Sequence, residues 1–420
     1  MPPRTAEPLR TVAREWWRLG AIGFGGPPTH ILLLRQLCVE RREWIQAEEF
    51  EDAIAACNLL PGPSSTQLAI FCAGRVGGWP GALVGGAGFI VPGLIVIIAL
   101  AALFLSSSPP DWVRAAGAGG GAAVAAVAVR AALDLAPPSW RRAGGGARHL
   151  RWVAYLAAGF AASALAGSSV VLALVGCGGL EVLIRVGRTG PISLAAAPHA
   201  AGLGSLAWTA FKVGALSCCG GFVIIPLMQS DAVSRYHWMT GPQFLDAVAL
   251  GQVTPGPVVG TVAAVGYAAG GVGAALLAAL VAFLPSFVFM LAGWSRFDRL
   301  RGNATARAFL EGAGPAAIGA IAGSSVLLAG ELRADWQYVV LAGAAAALLL
   351  ARRSIVAVLL AAAAGGELAL LAGLTHAPAR ACVLAAVDFA QSFGSPIELL
   401  EELAEGPFGD AHERAGMNAP

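Results

Sequence analysis

The chain has 420 residues, of which 27 are basic and 25 are acidic, so its formal net charge is +2. Only 12% of the residues are charged and 57% are hydrophobic, whereas about 25% of an average soluble domain is charged. A soluble globular protein of this size would have too much surface to cover with so few charges. The composition therefore excludes a soluble enzyme, a nucleic-acid-binding protein and a disordered chain, and it predicts an all-α polytopic membrane protein.

Long uncharged runs support this prediction. Residues 79–105, 153–180 and 247–294 contain no charged side chain, and a membrane-spanning helix needs about 20 apolar residues. The longest of these runs therefore predicts two spans that are joined by a tight turn.

A self-comparison indicates that the chain consists of two homologous halves. A shift of 194 residues without a gap matches glycine, tryptophan, aspartate and proline residues: Gly20 with Gly214, Trp44 with Trp238, Asp52 with Asp246, and Pro61-Gly62-Pro63 with Pro255-Gly256-Pro257. Such matches in one register are not expected from composition alone. We therefore predict one repeat over residues 1–190, a second over residues 191–394, and an acidic tail over residues 395–420.

Each half has the same predicted order of segments. A first apolar segment is interrupted by glycines, a polar loop follows, and a second apolar segment is broken by Pro-Gly-Pro. Then come a clean span (79–105 or 271–294), a fourth segment (about 112–135 or 306–330) and a long apolar stretch (152–186 or 335–373). We expect about five or six membrane segments in each half, and hence about 10–12 in the chain.

The arginine content of matching loops predicts that the two halves are inverted in the membrane. Positive charge accumulates in cytoplasmic loops, and the arginine-rich loop follows the fourth segment in the first half but precedes it in the second. The arginines are Arg141, Arg142, Arg148 and Arg151 in the first half, and Arg296, Arg299, Arg301 and Arg307 in the second. The matching loops should therefore lie on opposite sides, with the N-terminus in the cytoplasm.

The paired breaks predict where a solute binds. Non-helical backbone at membrane depth is tolerated only where it is buried in protein or lines an aqueous cavity. Since proline ends one helix and starts the next, Pro61-Gly62-Pro63 predicts a new half-helix from about Pro63. The free N–H groups and the positive dipole end of such a helix attract anions. Paired breaks in two inverted halves are the sequence pattern of a transporter's binding site.

We expect the substrate-binding residues to lie at these breaks and beside them. They are Gly25, Gly26, His30, Asn58, Pro61, Gly62, Pro63, Ser64, Ser65, Thr66 and Gln67 in the first half, and Lys212, Gly220, Gly221, Gln252, Thr254, Pro255, Gly256, Pro257 and Thr261 in the second. The alternative interpretation is that the breaks are kinks for helix packing.

Several ionisable residues near the segments allow two interpretations each. Arg18 aligns with Lys212, and this pair either attracts an anion or extends to the membrane interface. Asp52 and Asp246 are candidates for a coupling proton, although the sequence favours helix capping. His30 is a proton carrier or an anion contact without a counterpart, because the matched position is an isoleucine.

These motifs resemble those of the chromate ion transporter family, and the likeness covers about residues 10–390. The motifs are Phe24-Gly25-Gly26-Pro27 with His30-Ile31, Leu60-Pro61-Gly62-Pro63 with Thr66-Gln67-Leu68-Ala69, Gly220-Gly221-Phe222, Phe244-Leu245-Asp246, the run from Ala249 to Pro257, and Leu284-Pro285-Ser286-Phe287. The second half departs from the family pattern in one place, since Cys218-Cys219 stand where Phe-Gly is usual.

The resemblance implies a secondary transporter, and not an enzyme, that exports chromate across the inner membrane. The membrane potential or proton coupling would drive it. Sulfate has nearly the same shape and charge, so a sulfate or other oxyanion permease is the alternative. A redox membrane enzyme that uses Cys218 and Cys219 is a second alternative. The expected partners are the oxyanion and the lipid bilayer, with a homodimer left open, and neither a cofactor nor a metal is expected.

Overall fold

The computed structural model describes residues 7–58, 60, 62–106, 108–166, 170–186, 202–217, 222–293 and 304–373, and all regular secondary structure within them is helical. The first half contains α1 (Leu9–Ile22), α2 (Pro27–Arg35), α3 (Ala47–Cys57), α4 (Ser64–Phe104), α5 (Asp111–Ala143), α6 (Ala147–Ala166) and α7 (Val170–Val186). The second half contains α8 (Leu203–Leu216), α9 (Ile224–Gln229), α10 (Gly241–Val253), α11 (Thr261–Gly293), α12 (Ala304–Gly330), α13 (Asp335–Leu349) and α14 (Ile355–Leu371).

The two halves repeat each other in backbone detail, which confirms the predicted duplication. Helices α1 and α8 are related by the shift of 194 residues, and so are two π-helical segments, Gln36–Arg41 and Ser230–Arg235. Both long helices bend at a glycine pair: Gly78 in α4 has φ 67° and Gly271 in α11 has φ 70°. Only glycine adopts such angles at little cost, so glycines give both halves the same bend, although 193 residues rather than 194 separate Gly78 from Gly271.

Four of the described helices are long and apolar enough to cross a membrane. They correspond to residues 64–104, 111–143, 258–292 and 307–330. The predicted clean spans are the parts of α4 and α11 that follow the glycine bends. The long stretches that close each half form pairs of shorter helices, α6 with α7 and α13 with α14. The total of 10–12 segments stays a prediction.

The halves are intertwined rather than side by side. Helix α12 of the second half packs against α6 and α7 of the first, while α5 of the first half packs against α13 and α14 of the second. Glycines permit this approach, since a Cβ added at Gly159 would lie 1.9 Å from the Ala316 carbonyl oxygen. Close packing through small residues is typical of membrane helices.

An ion pair between α7 and α12 links the two halves. Glu181 on α7 pairs with Arg151 and Arg185, and Arg185 also pairs with Glu311 on α12. The packing of α12 on α6 and α7, and of α5 on α13 and α14, is the pattern that a two-fold relation between the halves produces. The two Pro-Gly-Pro breaks lie between the halves. The inverted orientation in the membrane remains a prediction.

Candidate anion-binding site

The starts of α2 and α4 meet the second break in one narrow cleft between the halves. The cleft is lined by residues at the start of α2, the start of α4 and the second break: Pro27, Pro63, Ser64, Ser65, Pro257, Val258 and Val259. The first N–H groups of a helix have no acceptor within the helix. A meeting of helix starts therefore gathers backbone donors and positive dipole ends at one place.

Helix α4 begins at Ser64, directly after Pro63, where the sequence predicts a half-helix to start. The first bond of this helix runs from the Gln67 N–H to the Pro63 carbonyl oxygen, at 3.0 Å. Within the described part of the chain, the N–H groups of Ser64, Ser65 and Thr66 have no acceptor, and neither has the buried Thr66 hydroxyl a partner. The first turn of α4 therefore presents unused donors beside the cleft.

His30 fixes the glycine loop to the start of α4. Its ring is fully buried, with Nε2 2.9 Å from the Gly23 carbonyl oxygen and Nδ1 3.2 Å from Ser65 Oγ. Because a carbonyl oxygen only accepts, Nε2 carries the proton, and in the neutral ring Nδ1 accepts from the Ser65 hydroxyl. The hydroxyl of Ser65 is thus engaged with His30, and its backbone N–H is the donor left for a ligand.

Each Pro-Gly-Pro break lies against the first helix of the other half. A Cβ added at Gly62 would lie 3.5 Å from the Gly214 carbonyl oxygen, and one at Gly256 would lie 3.9 Å from that of Gly20. The Gly256 N–H also donates to the Gly23 carbonyl oxygen at 2.9 Å. Gly62 has φ 119° and Gly256 has φ 87°, a region that favours glycine. Both breaks therefore need their glycine for backbone shape as well as for contact.

The second break is not a copy of the first in its side chains. It continues as a short 3₁₀ turn, Val258–Gly260, before α11 begins at Thr261. The Thr254 hydroxyl lies 3.4 Å from the Gly251 carbonyl oxygen, and the Thr261 hydroxyl lies 2.8 Å from that of Val258. Both hydroxyls therefore bond their own backbone, while the buried Gln252 Nε2 has no partner in the described part of the chain.

Three predicted cationic or polar contacts lie away from the cleft lining. Lys212 forms an ion pair with the buried Asp231, whose same oxygen accepts from Thr209 Oγ1 at 2.8 Å. Arg18 is exposed on α1, and Asn58 is exposed at the end of α3. None of the described residues that line the cleft carries a positive charge. Any anion there would depend on backbone donors and helix dipoles.

The favoured capping interpretation of the two matched aspartates is wrong. Thr240 caps α10 through a reciprocal pair of bonds with Gln243, and Gln46 occupies the corresponding position before α3. Asp52 and Asp246 are the sixth residues of these helices, beyond the first turn. Asp52 is exposed, whereas Asp246 is partly buried. The repeat therefore matches the two residues in register but not in surroundings.

Sequence comparison of the halves missed Ser286 on α11. This residue is fully buried, and its hydroxyl has no partner in the described part of the chain. A Cβ added at Gly62 would lie 3.0 Å from Ser286 Oγ and 2.7 Å from Gln67 Nε2, so both polar atoms flank the first break. The matched position in the first half is Pro92, and the repeat therefore gave no signal. The motif Leu284-Pro285-Ser286-Phe287 was the available clue.

Some predicted residues lie outside the part of the chain that the structure describes. They are Pro61, Cys218, Cys219, Gly220, Gly221 and the acidic tail over residues 395–420.

Comparisons with known proteins agree on one family. A sequence model described as Chromate transporter matches residues 10–182 and 204–366. A chromate transport protein of Cupriavidus metallidurans is 30% identical over 337 residues, which cover 76% of this chain and 82% of the relative. One of Pseudomonas aeruginosa is 30% identical over 354 residues, with 78% and 82% covered. A probable chromate transport protein of Synechococcus elongatus is 29% identical over 341 residues, with 76% and 84% covered. No solved structure matches the chain.

Proposed function

We propose that this chain, which belongs to the chromate transporter family, carries chromate across the membrane that its helices span. Chromate is a tetrahedral dianion, and three curated relatives are named for its transport. The proposal is a multi-pass secondary transporter that exports the anion across the inner membrane, with the N-terminus in the cytoplasm. The resemblance supports the direction, and the arginine distribution supports the orientation.

The observation that carries the proposal is the meeting of two α-helix starts and the second break at a cleft whose described lining has no cationic side chain. Each α-helix start is equivalent to roughly half a positive charge, so α2 and α4 together offset about half of a double negative charge. Helix α2 contributes mainly its dipole, because its first two residues, Pro27 and Pro28, have no N–H group. The N–H groups of α4 and of the turn at Val258 then supply the hydrogen bonds. Binding without a fixed cation also favours release, which a transporter needs.

Ser286 adds a side-chain donor to the same site. Its hydroxyl lies beside Gly62, and the next residue, Pro63, lines the cleft. A hydroxyl that stays buried without a partner destabilises the ligand-free protein. Such a group is explained if it donates to an oxygen of the anion.

The reciprocal seating of the breaks supports alternating access. Gly62 rests on the first helix of the second half, and Gly256 rests on that of the first half. A movement of one half relative to the other therefore shifts both breaks together. In this way the site would open to one side of the membrane while it closes to the other.

The test is uptake of radiolabelled chromate and sulfate into inverted membrane vesicles that contain the full chain. We expect saturable chromate uptake that empty vesicles lack. Saturable sulfate uptake without any competition by chromate would replace this function by sulfate permeation. The absence of uptake of either anion at normal protein content would reject the proposal.

A labelling experiment tests the proposed orientation. Ser107→Cys lies between the third and fourth segments of the first half, and Gly302→Cys lies in the matching loop of the second. A membrane-impermeant thiol reagent should reach the former from outside and the latter from the cytoplasm. Labelling of both from one side would contradict the inverted repeat.

A further inference from the structure

The carboxyl group of Asp246 lies in a notch that glycines open in α5. A Cβ added at Gly117 would lie 2.7 Å from Asp246 Oδ1, and one at Gly121 would lie 3.5 Å from the same atom. Any larger residue at Gly117 would force the carboxyl group to move. The side chain of Asp246 is partly buried, and it makes neither a hydrogen bond nor an ion pair with any residue that the structure describes. An ionisable residue in such a position in a membrane protein is costly, and it points to a function.

Charged groups on the neighbouring elements do not neutralise Asp246. On α5 the nearest charges, Asp111 and Arg114, pair with each other at the exposed start of the helix. Helix α11 has no charged residue, and the one charge of α4, Arg75, pairs with Glu49. The remaining charges on elements packed against α10 are Asp231 and Arg235 on the π-helical segment, Glu331 beside Gly241 at the start of α10, and the partly buried Glu367 on α14. Asp231 is already paired with Lys212.

Helix α10 connects Asp246 to the cleft. The helix ends at Val253, and the Thr254 N–H still bonds the Leu250 carbonyl oxygen at 3.0 Å. Two residues later the Gly256 N–H bonds the Gly23 carbonyl oxygen in the first half. The contact of Asp246 with α5 and the position of the second break are therefore set by one short rigid element.

We propose that Asp246 carries the coupling proton of the transport cycle, an inference that rests on the proposed function. The neutral carboxyl group fits the apolar notch against Gly117 while α10 is seated on α5. Ionisation of Asp246 destabilises the packing of α10 against α5, because an unpaired charge away from water costs free energy. The carboxylate then takes one proton from water on one side of the membrane and returns it to water on the other. Movement of α10 between the two states carries Pro255 and Gly256 with it.

The first half supplies a matched control. Asp52 occupies the same place in the repeat, six residues into α3, but it is exposed. The residues of α3 beside it, Glu48, Glu49 and Glu51, belong to a charged and exposed or half-exposed face. Because the carboxyl group of Asp52 stays in water, binding a proton does not change how α3 packs against its neighbours. The proposal therefore assigns coupling to Asp246 and not to Asp52.

The experiment uses the full chain in proteoliposomes with the membrane potential clamped at zero. If one proton moves with each anion, an imposed gradient should change chromate accumulation about tenfold for each pH unit, since one unit is a tenfold ratio of proton activity. Asp246→Asn should lose this response but keep exchange of labelled for unlabelled chromate, which moves no net proton. Asp52→Asn and Glu367→Gln should respond like the wild type.

The outcomes separate this inference from the proposed function. Absence of chromate exchange in the wild type would reject chromate transport itself. Exchange without any pH response in the wild type, or a normal response in Asp246→Asn, would overturn the role of Asp246. Loss of both exchange and response in a normally inserted Asp246→Asn would also overturn it, because the residue would then be structural.

A second variant keeps the test decisive if Asp246→Asn inserts poorly. Gly117→Ala keeps the carboxyl group but places a methyl group against it. We expect this variant to retain exchange of labelled for unlabelled chromate. The pH at which chromate accumulation is half-maximal should shift relative to the wild type. An unshifted pH dependence in Gly117→Ala would count against the notch as the seat of the proton.

Discussion

The two Pro-Gly-Pro breaks share a backbone but differ in the groups that they present. After the first break, α4 begins at once with Ser64, Ser65 and Thr66, whose N–H groups have no acceptor among the described residues. After the second, an apolar 3₁₀ turn intervenes, and the Thr261 hydroxyl bonds the Val258 carbonyl oxygen. The first break is therefore the polar side of the cleft, whereas the second supplies mainly backbone.

The helices that precede the two breaks, α3 and α10, differ in how deeply they bury their matched aspartates. Helix α3 presents Asp52 to the surface, while α10 is covered by α5 and holds Asp246 in a glycine notch. Duplication thus preserved the helix ends that position the site and let the side chains specialise. We infer that the first half is adapted to anion contact and the second half to coupling.

The largest expected effect comes from the glycines of the two breaks. Gly62→Leu and Gly256→Leu should each abolish chromate transport, because both residues have φ values that cost other residues about 1–3 kcal/mol. The measurement is vesicle uptake per inserted molecule. Gly176→Leu is the control, since this glycine of α7 has open space around its Cβ position and a negative φ. Normal transport in both break variants would reduce the breaks to packing kinks.

Alanine at the same two positions sharpens the comparison. A methyl group at Gly62 would meet Gln67 Nε2 at 2.7 Å and Ser286 Oγ at 3.0 Å, whereas the nearest atom to one at Gly256 lies at 3.5 Å. Both variants carry the strain of a positive φ, but only Gly62→Ala also displaces the unpartnered Ser286 hydroxyl. Gly62→Ala should therefore weaken chromate affinity more. Equal loss in the two variants would remove the distinction between a polar and a backbone side.

Removal of the Ser286 hydroxyl tests the polar side directly. Ser286→Ala should raise the chromate concentration for half-maximal transport by about tenfold, since a hydrogen bond to a charged group contributes about 1.5–3 kcal/mol. Thermal stability without ligand should stay the same or rise slightly, because an unpartnered buried hydroxyl is lost. Ser324→Ala is the control, since its hydroxyl already bonds the Ile321 carbonyl oxygen at 2.7 Å. This variant should leave the half-maximal chromate concentration unchanged. An unchanged half-maximal concentration in Ser286→Ala would exclude the hydroxyl from the site.

Neutralisation of Lys212 should alter protein yield more than transport. Lys212→Gln leaves the buried Asp231 without its ion-pair partner, and breaking a buried pair typically costs about 3–5 kcal/mol. Membrane yield should fall, and the double variant Lys212→Gln with Asp231→Asn should restore it. Transport per inserted molecule should change little in either protein. A raised half-maximal concentration in the double variant would instead place Lys212 in the anion path.

Arg18, the counterpart of Lys212, should show the smallest effect. Its side chain is exposed on α1, so Arg18→Gln removes a charge that water already solvates. We expect both yield and transport per molecule to remain within about twofold of the wild type, because exposed charges contribute little. A large loss of transport would show that the cationic pair expected from the repeat acts on the anion after all.

The sequence by itself determined the class, the duplication and the ends of the broken helices. Low charge and long apolar runs fix a membrane protein, because the bilayer admits few charges. Proline acts through local backbone geometry, so Pro63 predicts the start of α4. These features depend on near neighbours in the chain, which a sequence states directly.

Only the tertiary structure decided which of the predicted groups meet. The exchange of helices between the halves brings Gly256 to Gly23 and Ser286 to Gly62, residues that are more than two hundred positions apart. It also packs one aspartate of a matched pair against α5 and leaves the other exposed, while packing within the second half pairs Lys212 with Asp231. Burial depends on the packing partner of a residue, and for Gly62, Gly256 and Asp246 that partner comes from the other half.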